Sequence, residues 1–198
     1  MMVLGITGGF GSGKSTVARM FESLARGKGK VLDADAIARR LMAKGSRVYR
    51  RIVTVFGDGI IGRGGEIDRP KLASAVFKNP VLLRRLAQIV HPEVIGVIKN
   101  RISSSRAKVV ILDVPLLFET GLNGMADKVI VVKIKRREQM QRLRLSRGFA
   151  RKEILERMNF QMPQAEKIRL ADFVIDNSNK IEETRTQAVK IWRSLWKN

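Results

Sequence analysis

From Gly8 to Thr16 the chain reads GGFGSGKST, which contains the spacing G-x-x-x-x-G-K-[ST]. That spacing lets a backbone loop bind phosphate. Gly8, Gly9, Gly11 and Gly13 admit conformations closed to other residues, so the N–H groups running through Ser12 to Lys14 can converge on phosphate oxygens. A helix starting just after the loop adds the positive end of its dipole. In such an arrangement Lys14 reaches the β and γ phosphates of a nucleotide, and the Ser15 hydroxyl ligates a magnesium ion bridging them. Thr16, one residue into the helix, is placed for the α phosphate. The bland alternative is a glycine-rich turn with a surface lysine, and the strand and helix signals flanking the loop argue against it.

Carboxylates form the next group. Asp33 and Asp35 occur as DAD behind a short apolar run, and Asp113 closes VVILD. All three are expected near the carboxyl ends of strands, where ligands gather in open α/β sheets. There an aspartate can orient an acceptor hydroxyl and take its proton late in phosphoryl transfer, while another holds magnesium directly or through water. Asp113 resembles the magnesium-side aspartate of the Walker B kind. The competing role for Asp33 and Asp35 is to cap the following helix. Glu119, in PLLFE, is a candidate for substrate contact or for a salt bridge. His91, the single histidine, is a candidate for ligand contact or for packing. Between Arg136 and Lys152 basic residues dominate, with Glu138 as the single acid. A mobile lid of this kind closes arginines over a transferring phosphate, and Arg142 and Arg147 are the candidates.

These residues need a scaffold, and the hydrophobic pattern supplies one. Strands are expected at Val3–Thr7, Val31–Asp33, Lys108–Val114, Lys128–Ile134 and Phe173–Asp176. Helices are expected at Ser15–Leu24, Ala34–Met42, Arg69–Phe77, Pro80–Ile102, Arg136–Arg147, Arg151–Met162 and Lys180–Trp196, with Asn79 capping the fourth and Pro92 kinking or dividing it. Gly57–Gly65 reads as a turn or hairpin. Alternating strands and helices give an α/β, doubly wound parallel sheet. The expected organisation is one domain over 1–198. Its core comprises 1–36, 107–135 and 171–198, with a helical substrate lobe at 37–106 and a small basic lid at 136–165.

With 198 residues, 44% hydrophobic and 29% charged, the chain fits a soluble globular domain. No apolar run approaches the roughly 20 residues of a membrane span, and no secretory leader is expected at MMVLGIT. The absence of cysteine excludes disulfides, thiolate metal sites and thiol nucleophiles, and is compatible with a cytoplasmic setting. A GTP switch would need Asp-x-x-Gly and Asn-Lys-x-Asp; Asn179-Lys180-Ile181-Glu182 ends in glutamate. The net charge of +21, from 39 basic and 18 acidic residues, favours anionic partners without choosing among them.

Taken together, GITGGFGSGKSTVA, the DAD, IDRPKLA at 67–73, HP at 91–92, LDVPLLFE at 112–119 and ADFVIDN at 171–177 resemble, in that order and over nearly the whole chain, bacterial dephospho-CoA kinases. The resemblance implies a P-loop kinase fold and transfer of the ATP γ-phosphate to the ribose 3′-hydroxyl of dephospho-CoA, with Mg2+, in the cytoplasm. It carries the nucleotide loop to Gly11, Ser12, Gly13, Lys14, Ser15 and Thr16, the catalytic aspartate to Asp33 and the lid arginine to Arg142. It also places Asp176 and Asn177 along the adenine. A second lid arginine aligns with Ser146 or, after a slip of register, with Arg147. Two other readings are a kinase of the same fold with another small acceptor and a nucleic-acid-associated ATPase. The latter is prompted by charge, but aromatic residues are only 6%, few for base stacking, and no specific nucleic-acid partner is expected.

Overall fold

Branched apolar runs bounded by glycine, proline or aspartate become the strands. The computed structural model describes residues 1–196, the side chains of residues 146 and 147 excepted. In it β1 (Met2–Gly8), β2 (Gly29–Asp33), β3 (Val109–Asp113), β4 (Lys128–Lys133) and β5 (Phe173–Asp176) form one parallel sheet in the order β2-β3-β1-β4-β5. Every residue of β3 is buried, as a parallel strand covered on both faces requires. The helices are α1 (Lys14–Leu24), α2 (Ala34–Leu41), α3 (Arg47–Phe56), α4 (Arg69–Phe77), α5 (Pro80–Ser103), α6 (Arg136–Arg147), α7 (Arg151–Asn159), α8 (Gln164–Arg169) and α9 (Ile181–Ser194).

The chain forms two compact units. The first, Met1–Asp33 with Ser105–Asn198, contains the sheet. Val17, Ala18 and Phe21 of α1 and Ala188 and Ile191 of α9 pack on Leu4, Ile6, Ile111, Ile130, Val132 and Ile175. Each large aliphatic side chain buried here contributes about 2 kcal/mol. In the second unit, Ala34–Ser104, α2, α3 and α4 each pack against α5.

Most elements lie where the sequence pattern puts them, and the differences are instructive. β2 begins at Gly29 rather than Val31, because Gly29 and Lys30 pair in register with Val109 and Val110. α5 runs unbroken through Pro92. The proline forfeits one helical N–H, but Ile89, Val90, Val94 and Ile98 around it are buried, and that burial holds the helix on its course. Asn79 caps it as expected, its side chain accepting from the N–H groups of Val81 and Leu82 at 2.9 and 3.3 Å. The glycine-rich stretch 57–65 holds a short 3₁₀ turn at Asp58–Ile60 and leads into an isolated antiparallel bridge between Ile61 and Ile67. α3 and α8 were not anticipated, and α7 ends at Asn159, short of Met162.

Candidate active site

The loop between β1 and α1 is shaped by its glycines. Gly13 serves as N-cap with φ 91° and ψ 21°, a left-handed conformation that suits glycine. A Cβ there would lie 2.2 Å from Asn177 Nδ2, and one on Gly11 would lie 2.7 Å from Leu143 Cδ2. The loop therefore has backbone where any larger residue would collide. Within it the Ser12 N–H donates to the Gly9 carbonyl at 3.1 Å. Lys14, only 9% exposed, begins α1 and its Nζ donates to the same carbonyl at 3.3 Å. The first turn of α1 carries no acidic residue and no side-chain cap, so this helix end is suited to an anion. Ser15 and Thr16 sit in that turn.

Asp33 and Asp113 end adjacent strands and are register partners. Register partners of a parallel pair point to one face, with strands about 4.8 Å apart. Two of the expected carboxylates are thus neighbours at the edge that also bears the loop, since Asp113 pairs with Ile6 of β1 as well. Asp113 is 3% exposed. The turn beyond it is pinned from two sides: the Pro115 carbonyl accepts from Thr7 Oγ1 at 3.1 Å and from Lys167 Nζ at 2.7 Å. Lys167 is fully buried and pairs with Glu119 Oε1 at 2.9 Å, and the same Glu119 oxygen accepts from the Met162 N–H at 2.8 Å. Burial lowers the Lys167 pKa, against the opposing pull of Glu119. Glu119 therefore holds α8 and the turn after α7 to the loop that follows Asp113.

Beside the phosphate loop lies a cavity of about 330 Å³ lined by Gly11, Gly13, Thr16, Arg142, Leu143, Asn177, Asn179 and Ile181. Its walls come from the loop, from α6 and from the turn between β5 and α9. Arg142 Nη2 donates to the Asn179 carbonyl at 3.4 Å, which brings the lid candidate to this cavity. α6 also touches the loop directly: Gln139 Nε2 donates to the Phe10 carbonyl at 2.5 Å. Phe10 and Phe149 meet edge to face, centroids 5.4 Å apart, with the Arg157 guanidinium 5.4 and 4.7 Å from the two rings. Such aromatic and cation contacts are each worth about 1 kcal/mol.

Comparison with known proteins puts this geometry in a family. The family model described as dephospho-CoA kinase matches residues 2–183, a span holding the loop, both edge aspartates, Arg142 and Asn177. The chain belongs to the dephospho-CoA kinase family. A dephospho-CoA kinase of Carboxydothermus hydrogenoformans is 42% identical over 198 residues, covering 98% of this chain and 94% of the relative. Among solved structures, a Thermus thermophilus protein is 34% identical with a TM-score of 0.82, covering 100% of this chain and 98% of that one. The dephospho-CoA kinase from Campylobacter jejuni is 25% identical with a TM-score of 0.68, covering 98% and 96%. The family's α/β, P-loop kinase fold is the fold found here.

The remaining candidates are placed by their own elements. Asp35 is in the first turn of α2 and His91 is on α5, both in the second unit. The side chain of Arg147 is outside the described residues. Sequence reasoning missed Gln139, Leu143, Lys167, Asn179 and Ile181, whose placement depends on contacts across the fold. The Phe10 and Phe149 pair had a faint signal, since an aromatic residue inside a glycine-rich loop is unusual on solvation grounds alone.

Burial lowers the His91 pKa below its ordinary 6.5. The unfolded chain then takes up the proton first as pH falls, so the His91 contribution to stability is lost on acidification through 6.5. The urea midpoint of the wild type is expected to drop between about pH 7.5 and about pH 5.5, and His91→Asn to flatten that drop. An equal drop in the variant would assign the effect to other groups.

Proposed function

We propose that this chain transfers the γ-phosphoryl group of ATP to the ribose 3′-hydroxyl of dephospho-CoA, giving coenzyme A and ADP, the last step of coenzyme A synthesis, in the cytoplasm. The observation that carries the reading is the family match over 2–183, which encloses a loop shaped for phosphate and a carboxylate pair at the same sheet edge. ATP binds with its phosphates on the loop N–H groups of Gly11, Ser12, Gly13, Lys14, Ser15 and Thr16 and its adenine in the cavity beside Asn177. Asp33 accepts a hydrogen bond from the 3′-hydroxyl, aligns it for in-line attack and takes its proton late. The bond from that oxygen to the γ phosphorus forms as the bond to the β-phosphate oxygen breaks. Lys14 and Arg142 stabilise the charge carried by the transferring group and by the departing ADP.

The donor set fits Mg2+. Ser15 and Asp113 offer hard oxygen ligands, and no cluster of three His, Cys, Asp or Glu able to cage a metal occurs among the described residues. An ion held by one or two protein oxygens plus substrate phosphates is the magnesium pattern. Ser15 and Asp113 would hold the ion directly or through water, and it would supply neutralisation of the phosphate charge. Asp35, His91, Glu119 and Arg147 are proposed to contact the acceptor. For Glu119 that role has to coexist with its ion pair to Lys167.

The deciding experiment is magnesium-dependent ADP release from ATP with dephospho-CoA as acceptor and the product identified by mass. Nucleoside monophosphates and single-stranded RNA serve as parallel additions. Coenzyme A formed at about 1–100 per second is expected. Hydrolysis stimulated only by RNA or by another acceptor would overturn the proposed reaction. Among the described residues no helix is long and apolar enough to cross a membrane.

A further inference from the structure

The amide of Asn177 makes two buried contacts that nucleotide lining does not require. Its Nδ2 donates to the Ser12 carbonyl at 2.8 Å, and its Oδ1 accepts from Thr184 Oγ1 at 2.9 Å. Asn177 is 4% exposed, and Ser12 and Thr184 are fully buried. The Asn177 backbone is itself fixed, its N–H donating to the Lys133 carbonyl at 2.9 Å. The order of these bonds matters. The Ser12 carbonyl can only accept, so it faces the NH₂ end of the amide; Oδ1 is thereby turned to Thr184, whose hydroxyl donates to it and holds the amide in place.

We infer that Thr184 and Asn177 form a relay that orients the phosphate loop: by holding the Ser12 carbonyl outward, they aim the N–H of Gly13 at the nucleotide phosphates. Among the described residues no peptide is cis, so the Ser12 carbonyl and the Gly13 N–H point in opposite directions across one rigid plane. Pinning the carbonyl on the outer side therefore commits the N–H to the inner side. Gly13 has the left-handed φ of 91° that this plane needs, and its missing side chain leaves the space that Asn177 Nδ2 occupies. Thr184 lies on α9, whose Ala188 and Ile191 sit in the core against the sheet. The relay thus ties the loop to a helix packed in the core against the sheet. Thr184 is a positioning residue that acts through Asn177.

This inference rests on the proposed nucleotide role of the loop, and its test separates the two. Titration of Mg-ADP into the full chain would compare wild type with Thr184→Val, which keeps shape and removes the hydroxyl, and Thr184→Ser, which keeps the hydroxyl. Ile191→Val, a core truncation on the same helix, controls for lost stability. The expected result is an ADP Kd raised about five- to tenfold in Thr184→Val, the cost of one mispaired buried hydrogen bond. Wild-type affinity is expected in Thr184→Ser and Ile191→Val. In steady state the KM for ATP should rise in Thr184→Val while the KM for dephospho-CoA holds. If Thr184→Val is too unstable to titrate, Thr184→Ala, which also lacks the hydroxyl, takes its place with the same expected rise. Unchanged Kd in the variant, or an equal rise in Ile191→Val at matched loss of Tm, overturns the relay while leaving the site intact. No binding of Mg-ADP by the wild type overturns the loop reading and the relay together.

Discussion

Asp33→Asn is expected to lower turnover about 10²- to 10⁴-fold, the range for loss of a positioned proton acceptor, while leaving the Kd of Mg-ADP near that of the wild type. Asparagine has the shape of aspartate and still offers an oxygen to a hydroxyl, so β2 and its register with β3 should survive the change. What disappears is the negative charge and the capacity to receive the proton. Asp33 ends its strand at the same height as Asp113, and the proposed reaction divides the pair, with Asp33 serving the acceptor and Asp113 the metal. Because the phosphate loop is built without Asp33, nucleotide affinity is the internal control. Rates measured at saturating ATP and acceptor, with ADP titration alongside, give both quantities. Turnover within a few-fold of wild type would remove Asp33 from the chemistry.

Lys14→Ala is expected to behave differently, because the proposed reaction gives Lys14 a part in both binding and catalysis. We expect turnover to fall about 10³-fold and the Kd of Mg-ADP to rise at least about tenfold. The lysine is only 9% exposed and its Nζ spans back across the loop to the Gly9 carbonyl at 3.3 Å. Truncation deletes a charge close to the phosphates and also a strut of the loop itself. Lys14→Met, which keeps much of the volume, should recover loop stability without recovering turnover. Activity close to wild type in both variants would contradict the phosphate-binding reading. The two substitutions form a contrast: Asp33→Asn separates rate from nucleotide affinity, whereas Lys14→Ala moves both.

The parts of the site read from the sequence are those whose chemistry is local. Gly8 to Thr16 is a continuous segment, and its turn between a strand and a helix is dictated by glycine conformation and apolar periodicity. Asp33 and Asp113 were placed at the sheet edge because each follows an apolar run, and parallel register then made them neighbours. What could not be read depends on partners distant in the chain. Nothing near Asn177 announces that its amide will reach Ser12, nor anything near Lys167 that its charge will be buried against Glu119 and the Pro115 carbonyl. Pro92 misled for the opposite reason. A local rule gave a kink or a division, and the helix is not divided, burial of the flanking aliphatic residues keeping it continuous.

The strand order carries a consequence for biosynthesis. β1 lies in the middle of the sheet, yet both of its neighbours come from the second half of the chain: Met2 pairs with Val109 and Leu4 with Lys128. β1 is made before either neighbour, and so has no hydrogen-bonded partner while the whole helical second unit is synthesised. It waits as an apolar segment with two unsatisfied edges, the kind of exposure that chaperones recognise. The glycine-rich loop in turn gains its anchor only when Asn177 and Thr184 emerge. Its geometry is in this sense set late, since Ser12 is held by a residue 165 positions further along the chain.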